Sequence, residues 1–243
     1  MSAPRTAWLR QAAPADPGAP TVVFFPHAGG SAGFFAPYAR ALTPHVRVLA
    51  VQYPGRLDRR REPCARDLRE LAQGVADALA GESSPAALFG HSMGGLVAFE
   101  TLRTGRVRAG RLLVSGSRAP SRTRVDPALL HDDGALLEQV LGLGGTAREL
   151  RHDEALRELV LPPLRADFQA LSRYAPRYGA TVDCPLTALV GDRDPLVPVA
   201  DARAWSAHTT GPFELKVLPG DHFYLTPALA EVAETIRAVL VPA

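Results

Sequence analysis

Short apolar runs alternate with longer segments of helical periodicity along most of this chain. The runs contain few polar positions and are closely followed by Gly or Pro, which is typical of strands buried on both faces of a parallel sheet. They predict six strands, at residues 21–26, 46–53, 86–90, 111–116, 186–191 and 214–218. Helical spacing predicts four helices, at residues 66–80, 93–104, 201–208 and 226–241. This alternation indicates an α/β fold with an open, mostly parallel, doubly wound sheet.

The last of these helices carries distinct start signals. Thr226 is placed to cap its N-terminus, and Pro227 would occupy the first helical position, where an N–H has no intrahelical partner. Apolar residues at helical spacing follow as far as residue 241. The sequence therefore predicts a helix that begins at residue 227.

One segment interrupts the alternation of strands and helices. Residues 118–178 show helical patterns and no convincing strand, and about sixty residues are too many for an ordinary connection. The segment predicts a helical lid over one edge of the sheet. A pair of packing helices without a gating role would give the same pattern. We expect one domain, residues 1–243, with this lid subdomain inserted in it.

Composition narrows the class of protein. The chain has 243 residues, 47% of them hydrophobic and 21% charged, which is typical of a soluble globular protein. Its formal net charge of +2 is too small to favour nucleic-acid binding. Cys64 and Cys184 show no metal-ligand spacing and are expected to be reduced thiols. Without a signal-like N-terminus or an apolar run of membrane-spanning length, the expected location is cytoplasmic, with no membrane association.

The segment Gly90-His91-Ser92-Met93-Gly94 matches the pattern G-x-S-x-G between a predicted strand and a predicted helix. In this context the two glycines permit a tight turn that lifts the serine hydroxyl clear of the sheet. A Gly-rich turn without chemistry would show the same five residues. The strand and helix on either side favour Ser92 as a nucleophile.

A serine nucleophile needs a base and an acid, which in this kind of fold follow on loops after later strands. His222 is the one histidine between the last predicted strand and the last predicted helix. The loop after the strand at 186–191 offers Asp192 and Asp194, and we prefer Asp194 because it lies past the turn. Asp221 is a third carboxylate close to the base in sequence, although its position directly beside His222 points its side chain elsewhere.

A tetrahedral intermediate also needs hydrogen-bond donors for its oxyanion. The backbone N–H of Met93, directly after the nucleophile, is the first candidate. The second is expected from the Gly-rich loop after the strand at 21–26, where the Ala28 N–H is preferred and His27 is the alternative.

Six segments of the chain, taken together, resemble the type II (editing) thioesterases of polyketide synthase and nonribosomal peptide synthetase systems. They occur in the family's order and run from about Thr21 to the C-terminus. They are FFPHAGGSAGFFAPYARAL, VQYPGRLDRRREP, FGHSMGGLVAFE, PPLRADFQALSRY, GDRDPLVP and GDHFYLTP.

This resemblance implies an α/β-hydrolase fold with a helical lid, a triad of Ser92, Asp194 and His222, and oxyanion donors at Met93 and Ala28. It also implies a substrate, an acyl group held as a thioester on the phosphopantetheine arm of an acyl or peptidyl carrier protein. Stalled or wrong acyl units would be removed without a metal or cofactor of the enzyme's own. We expect a monomer.

Two residues depart from the family pattern. Gly95 stands where Ala is common, a change that we interpret mainly as a loss of helix propensity of about 1 kcal/mol. Asp221 stands where Gly often precedes the catalytic histidine, which could alter the pH dependence of the base. Neither departure removes a catalytic atom.

Other features leave alternatives open. Arg59, Arg60 and Arg61 could dock an acidic carrier protein or could form a solvated loop. A carboxylesterase or lipase would use the same triad. An acyltransferase would pass the acyl group to an acceptor other than water, and a carrier-binding module would not use the triad at all. Five apolar residues of the lid segment are candidates for either an acyl pocket or the lid's own core: Leu136, Leu137, Leu161, Leu164 and Phe168.

Overall fold

A computed structural model describes residues 5–143 and 153–240 of the chain. A seven-stranded sheet has the order β1-β3-β2-β4-β5-β6-β7, in which only β1 runs antiparallel. The strands are β1 Leu9–Gln11, β2 Thr21–Phe25, β3 Arg47–Val51, β4 Ala87–His91, β5 Leu112–Ser115, β6 Leu186–Gly191 and β7 Phe213–Leu218. The six predicted strands and their parallel arrangement are confirmed, whereas the short edge strand β1 was not predicted.

Helices cover both faces of this sheet. They are α1 Arg5–Trp8, α2 Ala36–Leu42, α3 Leu68–Leu79, α4 Met93–Arg103, α5 Asp133–Leu141, α6 Glu154–Arg173, α7 Val199–Arg203 and α8 Leu229–Leu240. Alternate residues of the central strands enter two separate cores, so that Val23 packs with α3 and α4 while Phe24 packs with α2 and α8. A strand buried on both faces must be apolar throughout, which explains the unbroken runs in the sequence.

Two helix predictions need correction, and two helices were not predicted. The final helix begins at Leu229 and not at residue 227, because residues 222–228 form successive turns; Thr226 therefore does not cap it. The helix predicted at 201–208 is α7 followed by a 3-10 helix, Ala204–His208. Helices α1 and α2 were not predicted. Residue 241 of the last predicted helix lies outside the described residues.

The predicted insertion consists of helical elements between β5 and β6. Its described parts, residues 118–143 and 153–178, contain α5, α6 and short 3-10 turns and no strand. Residues 144–152 of the predicted lid lie outside the described residues. Within the part of the chain that the structure describes, no helix is both long and apolar enough to cross a membrane.

Candidate active site

Ser92 occupies a strained turn between β4 and α4. Its backbone angles are φ 53° and ψ −121°, and its N–H donates to the Ser115 carbonyl at 2.8 Å. A positive φ at a non-glycine residue is uncommon and concentrates at functional sites. A Cβ at Gly90 would lie 2.2 Å from the Gly94 oxygen, and one at Gly94 would lie 2.1 Å from the Phe25 oxygen. Both glycines of the predicted G-x-S-x-G turn are therefore required by backbone contacts.

Gly95 has a packing role that the sequence did not reveal. A Cβ there would lie 2.6 Å from Ser117 Oγ and 2.8 Å from Ser117 Cβ. Ser117 therefore occupies the space that an alanine side chain at position 95 would need. Interpreting Gly95 mainly as a loss of helix propensity left out this contact.

We expect Gly95→Ala to lower the melting temperature. Overpacking a filled site costs about 1–3 kcal/mol, which offsets or exceeds the gain of about 1 kcal/mol in helix propensity. Thermal unfolding followed by circular dichroism measures the effect. Gly33→Ala is the matched control, because a Cβ at that helical glycine meets only Ser31 Oγ, at 3.6 Å. A rise in melting temperature for Gly95→Ala would contradict the packing argument.

The three residues predicted to form a triad are joined by hydrogen bonds. His222 Nε2 lies 3.1 Å from Ser92 Oγ, and His222 Nδ1 lies 2.8 Å from Asp194 Oδ2. The side chains of His222 and Asp194 are almost completely buried. Asp194 Oδ1 accepts from the N–H groups of Leu196 at 2.8 Å and Val197 at 3.0 Å. These bonds hold the carboxylate so that its second oxygen faces the imidazole.

The two other carboxylates considered in the sequence have different partners. Asp192 Oδ1 accepts from the Gly220 N–H at 2.7 Å and so connects the loops that follow β6 and β7. Asp221 Oδ1 accepts from the Phe223 N–H at 2.9 Å, within its own turn. Of the three carboxylates, the structure places Asp194 alone within hydrogen-bond distance of the imidazole.

Two backbone N–H groups beside Ser92 have no acceptor among the described residues. They belong to Met93, the first residue of α4, and to Ala28, in the loop after β2. The Ala28 loop forms a turn closed by a 2.9 Å bond from the Gly30 N–H to the His27 carbonyl, with Gly29 at φ 72°. Met93 and Ala28 are the residues that the sequence predicted as oxyanion donors; both line the same cavity as Ser92, and their role stays a prediction. His27, whose N–H is the alternative donor, packs its ring against Phe34 and Phe223, and this contact does not decide between the two N–H groups.

The cavity beside Ser92 has a volume of about 810 Å³. His222 lines it near Ser92, and the helical insertion supplies much of its apolar wall. Of the five apolar candidates from the insertion, Leu164 and Phe168 line the cavity. The other three are not among its described lining residues: Leu136, Leu137 and Leu161. The wall also includes Val140, Leu156, Val160 and Leu171, which the sequence did not distinguish from core positions.

Two neutral histidines pack close to the base. Burial lowers the pKa of His27 to about 3, and the nearby His222 and Arg56 contribute further lowering. Burial also lowers the pKa of His91 well below its ordinary value, with His222 and His27 adding to the effect and the Ser115 carbonyl opposing it. Both rings are therefore uncharged in the folded protein at neutral pH.

The free energy of unfolding is expected to fall as the pH is lowered from 7 to 5. In the unfolded chain these histidines become protonated near pH 6.5, whereas in the folded chain they stay neutral to lower pH. Folding therefore loses stability at both, by about 2 kcal/mol for His27, whose pKa in the folded chain is about 3. Urea unfolding at several pH values measures the slope. His45→Gln, which replaces an exposed imidazole beside Asp16, is the control variant. Equal stability at pH 7 and pH 5 would contradict the prediction.

The arginine run has a structural role at its first position. Arg59 is buried, with its guanidinium 4.4 Å from the centre of the Trp8 ring, and its Nη1 donates to the Gln52 carbonyl at 2.7 Å. Arg59 is therefore not available for docking. Arg60 and Arg61 are exposed and do not line the cavity.

The free thiols of Cys64 and Cys184 form no disulfide. Among the described residues, no group of three or more His, Cys, Asp or Glu side chains is arranged to hold a metal ion.

One family model, several relatives and several solved structures match most of this chain. The family described as Thioesterase domain matches residues 20–240. Thioesterase PikA5 of Streptomyces venezuelae is 44% identical over 94% of this chain and 84% of its own length. "Probable cadicidin biosynthesis thioesterase" of Streptomyces griseus is 42% identical over 97% of this chain, which spans 66% of that relative. The solved structure of BorB, a type II thioesterase from the borrelidin biosynthetic cluster, superimposes with a TM-score of 0.89 at 44% identity, covering 97% of this chain and 98% of BorB.

Proposed function

The chain belongs to the thioesterase family, with the α/β-hydrolase fold of its structural neighbours, and from that premise we propose that it hydrolyses acyl thioesters carried by acyl or peptidyl carrier proteins. The observation that carries the proposal is the hydrogen-bonded series Ser92, His222 and Asp194 at the wall of a large, mainly apolar cavity. A solved relative at 30% identity, YbtT, is described as a type II thioesterase of an NRPS/PKS biosynthetic pathway, which supports the substrate class. The proposed role is the removal of stalled or incorrect acyl units.

In the proposed acylation step, Ser92 Oγ attacks the thioester carbonyl carbon while His222 Nε2 accepts the hydroxyl proton. Asp194 holds the imidazole in the tautomer whose Nε2 is free to accept that proton, and its charge stabilises the imidazolium. The oxyanion of the tetrahedral intermediate accepts hydrogen bonds from the Met93 and Ala28 N–H groups. As the C–S bond breaks, His222 returns the proton to sulfur, and the phosphopantetheine thiol leaves.

In the second step, water attacks the acyl-serine ester with His222 as general base. The proton then passes to Ser92 Oγ, and the fatty or otherwise substituted acyl group leaves as a carboxylic acid. The phosphopantetheine belongs to the substrate, and the proposal requires no metal or cofactor of the enzyme's own. The enzyme would act in the cytoplasm as a monomer.

The arrangement of the cavity supports an acyl substrate. Leu164 and Phe168 of α6 form part of its apolar wall, which suits burial of a hydrocarbon chain at about 25 cal/mol per Å² of area removed from water. Burial of the acyl chain on the enzyme would favour transfer of the acyl group from an exposed carrier arm.

The proposal is tested by comparing kcat/KM for one acyl group in two forms, on the phosphopantetheine arm of a carrier protein and as a small oxyester. We expect faster turnover of the carrier-bound thioester. Faster turnover of the oxyester, with the carrier-bound acyl group left intact, would favour a carboxylesterase. Failure of a fluorophosphonate to label Ser92 would instead favour a non-catalytic carrier-binding module.

A further inference from the structure

A buried carboxylate on the helical insertion contacts the loop that carries the Ala28 N–H. Asp167 of α6 accepts a hydrogen bond from the Gly29 N–H at 2.8 Å through Oδ2. The same oxygen accepts from Arg56 Nη2 in an ion pair whose two side chains are 3% and 4% exposed. Arg56 Nη1 also donates to the Pro54 carbonyl at 2.6 Å. Oδ2 of Asp167 therefore binds both Arg56 and the loop.

The conformation of this loop depends on such an acceptor. Gly29 is the third residue of the turn closed by the Gly30 N–H, and its positive φ is the geometry of a type II turn. Glycine permits the peptide between Ala28 and Gly29 to take more than one orientation at little steric cost. An acceptor for the Gly29 N–H selects one orientation, and in doing so it fixes the backbone at Ala28.

Helix α6 contacts the turn at a second point. A Cβ at Gly29 would lie 3.0 Å from Leu164 Cδ1, one helical turn before Asp167. Leu164 also lines the cavity. The far end of the loop is held separately, because the Ala32 N–H donates to the buried Gln52 Oε1 at 2.9 Å. The part of the loop around Ala28 thus takes its position from α6.

We propose that Asp167 is a positioning residue, which aligns the Ala28 N–H for the oxyanion by holding the Gly29 N–H. The inference rests on the proposed function, since it assumes that Ala28 contacts the reacting oxygen. A well-packed apolar pair often replaces a buried ion pair without loss of stability. Only a hydrogen-bond acceptor can hold the Gly29 N–H, however, and this requirement accounts for an acceptor at this position.

Two double variants distinguish the effect of the hydrogen-bond acceptor at position 167 from the effect of the Arg56–Asp167 charges. Arg56→Met/Asp167→Leu removes the ion pair and the acceptor, leaving no unpaired buried charge. Arg56→Gln/Asp167→Asn removes the charges and keeps an amide oxygen that can accept from the Gly29 N–H. We expect the apolar pair to lower kcat by about tenfold or more, because loss of a complete oxyanion donor costs about 10²–10³-fold. KM should change by less than about threefold, and the polar pair should retain most of kcat.

The rate of Ser92 phosphonylation by a fluorophosphonate provides a second readout. The phosphonyl oxygen occupies the position of the oxyanion, so this rate should fall with kcat in the apolar pair and recover in the polar pair. Glu100→Gln is the matched control. Glu100 is a buried carboxylate on α4 that accepts from the Tyr174 hydroxyl at 2.9 Å, at the C-terminal end of α6 and away from the Ala28 loop. Its loss should reduce stability without reducing kcat.

Each result has a distinct meaning. A wild-type enzyme that hydrolyses no thioester removes the proposed function itself. An active wild type with an apolar pair that folds and keeps full kcat overturns the positioning role, as does an equal loss of kcat in the apolar and polar pairs. If the apolar pair does not fold, Arg56→Met/Asp167→Ala, with a smaller side chain, takes its place in the same comparison.

Discussion

Replacing Ser92 with alanine is expected to lower kcat/KM for an acyl thioester by at least about 10⁴-fold. The variant keeps the oxyanion donors and the cavity but has no oxygen to form the acyl-enzyme. Residual turnover would come only from direct attack of water on the bound thioester. Steady-state hydrolysis of an acyl-N-acetylcysteamine, followed by release of the thiol, measures the loss.

The loss of activity reports on the missing nucleophile only if the Ser92→Ala variant is folded. Ser92 has a positive φ, a conformation that alanine tolerates poorly, so circular dichroism and melting temperature accompany the kinetics. Ser172→Ala, at an exposed position on α6, is the control and should keep wild-type activity. Activity within tenfold of wild type in a folded Ser92→Ala would exclude Ser92 as the nucleophile.

Asp194→Asn is expected to lower kcat by about 10³–10⁴-fold, with a smaller change in KM. The amide still fits between the His222 ring and the Leu196 N–H, so the geometry is kept. The amide NH₂, however, favours the histidine tautomer in which Nε2 carries the proton, and that nitrogen can no longer accept the Ser92 proton. The measurement is kcat and KM for the same thioester over a range of pH.

Two neighbouring carboxylates offer matched controls for Asp194. Asp192→Asn and Asp221→Asn each remove one negative charge near the base, but their oxygens bind the Gly220 and Phe223 N–H groups and not the imidazole. We expect both variants to keep kcat within about tenfold. A loss in Asp192→Asn as large as that in Asp194→Asn would reassign the acid.

The central part of the fold could be predicted because its physical signals are local. Strands buried on both faces leave long apolar runs, and the turn at Ser92 requires glycine at positions 90 and 94 because backbone atoms leave no room for a side chain. The order of Ser92, Asp194 and His222 along parallel strands places all three at one edge of the sheet. The sequence thus predicted which residues meet.

The contacts between distant segments could not be predicted in the same way. Ser117 fills the space beside Gly95, and Asp167 reaches Gly29 across 138 positions of sequence, and neither pairing leaves a periodic pattern. For the arginine run the sequence left open a docking surface or a solvated loop, and neither describes Arg59, which is buried beneath the Trp8 ring. The start of α8 was misplaced because Thr226 and Pro227, which suit a helix N-terminus, suit the turn that they form here equally well.

The proposed function requires Ser92 to remove acyl groups from a carrier protein. Intact-protein mass spectrometry of an acyl-loaded carrier, incubated with the wild-type enzyme or with Ser92→Ala, tests it most directly. We predict that the wild type converts the carrier to the free phosphopantetheine thiol while the variant leaves the acyl mass in place. An acyl group that stays on the carrier at several chain lengths, while a small oxyester is cleaved quickly, would contradict the account.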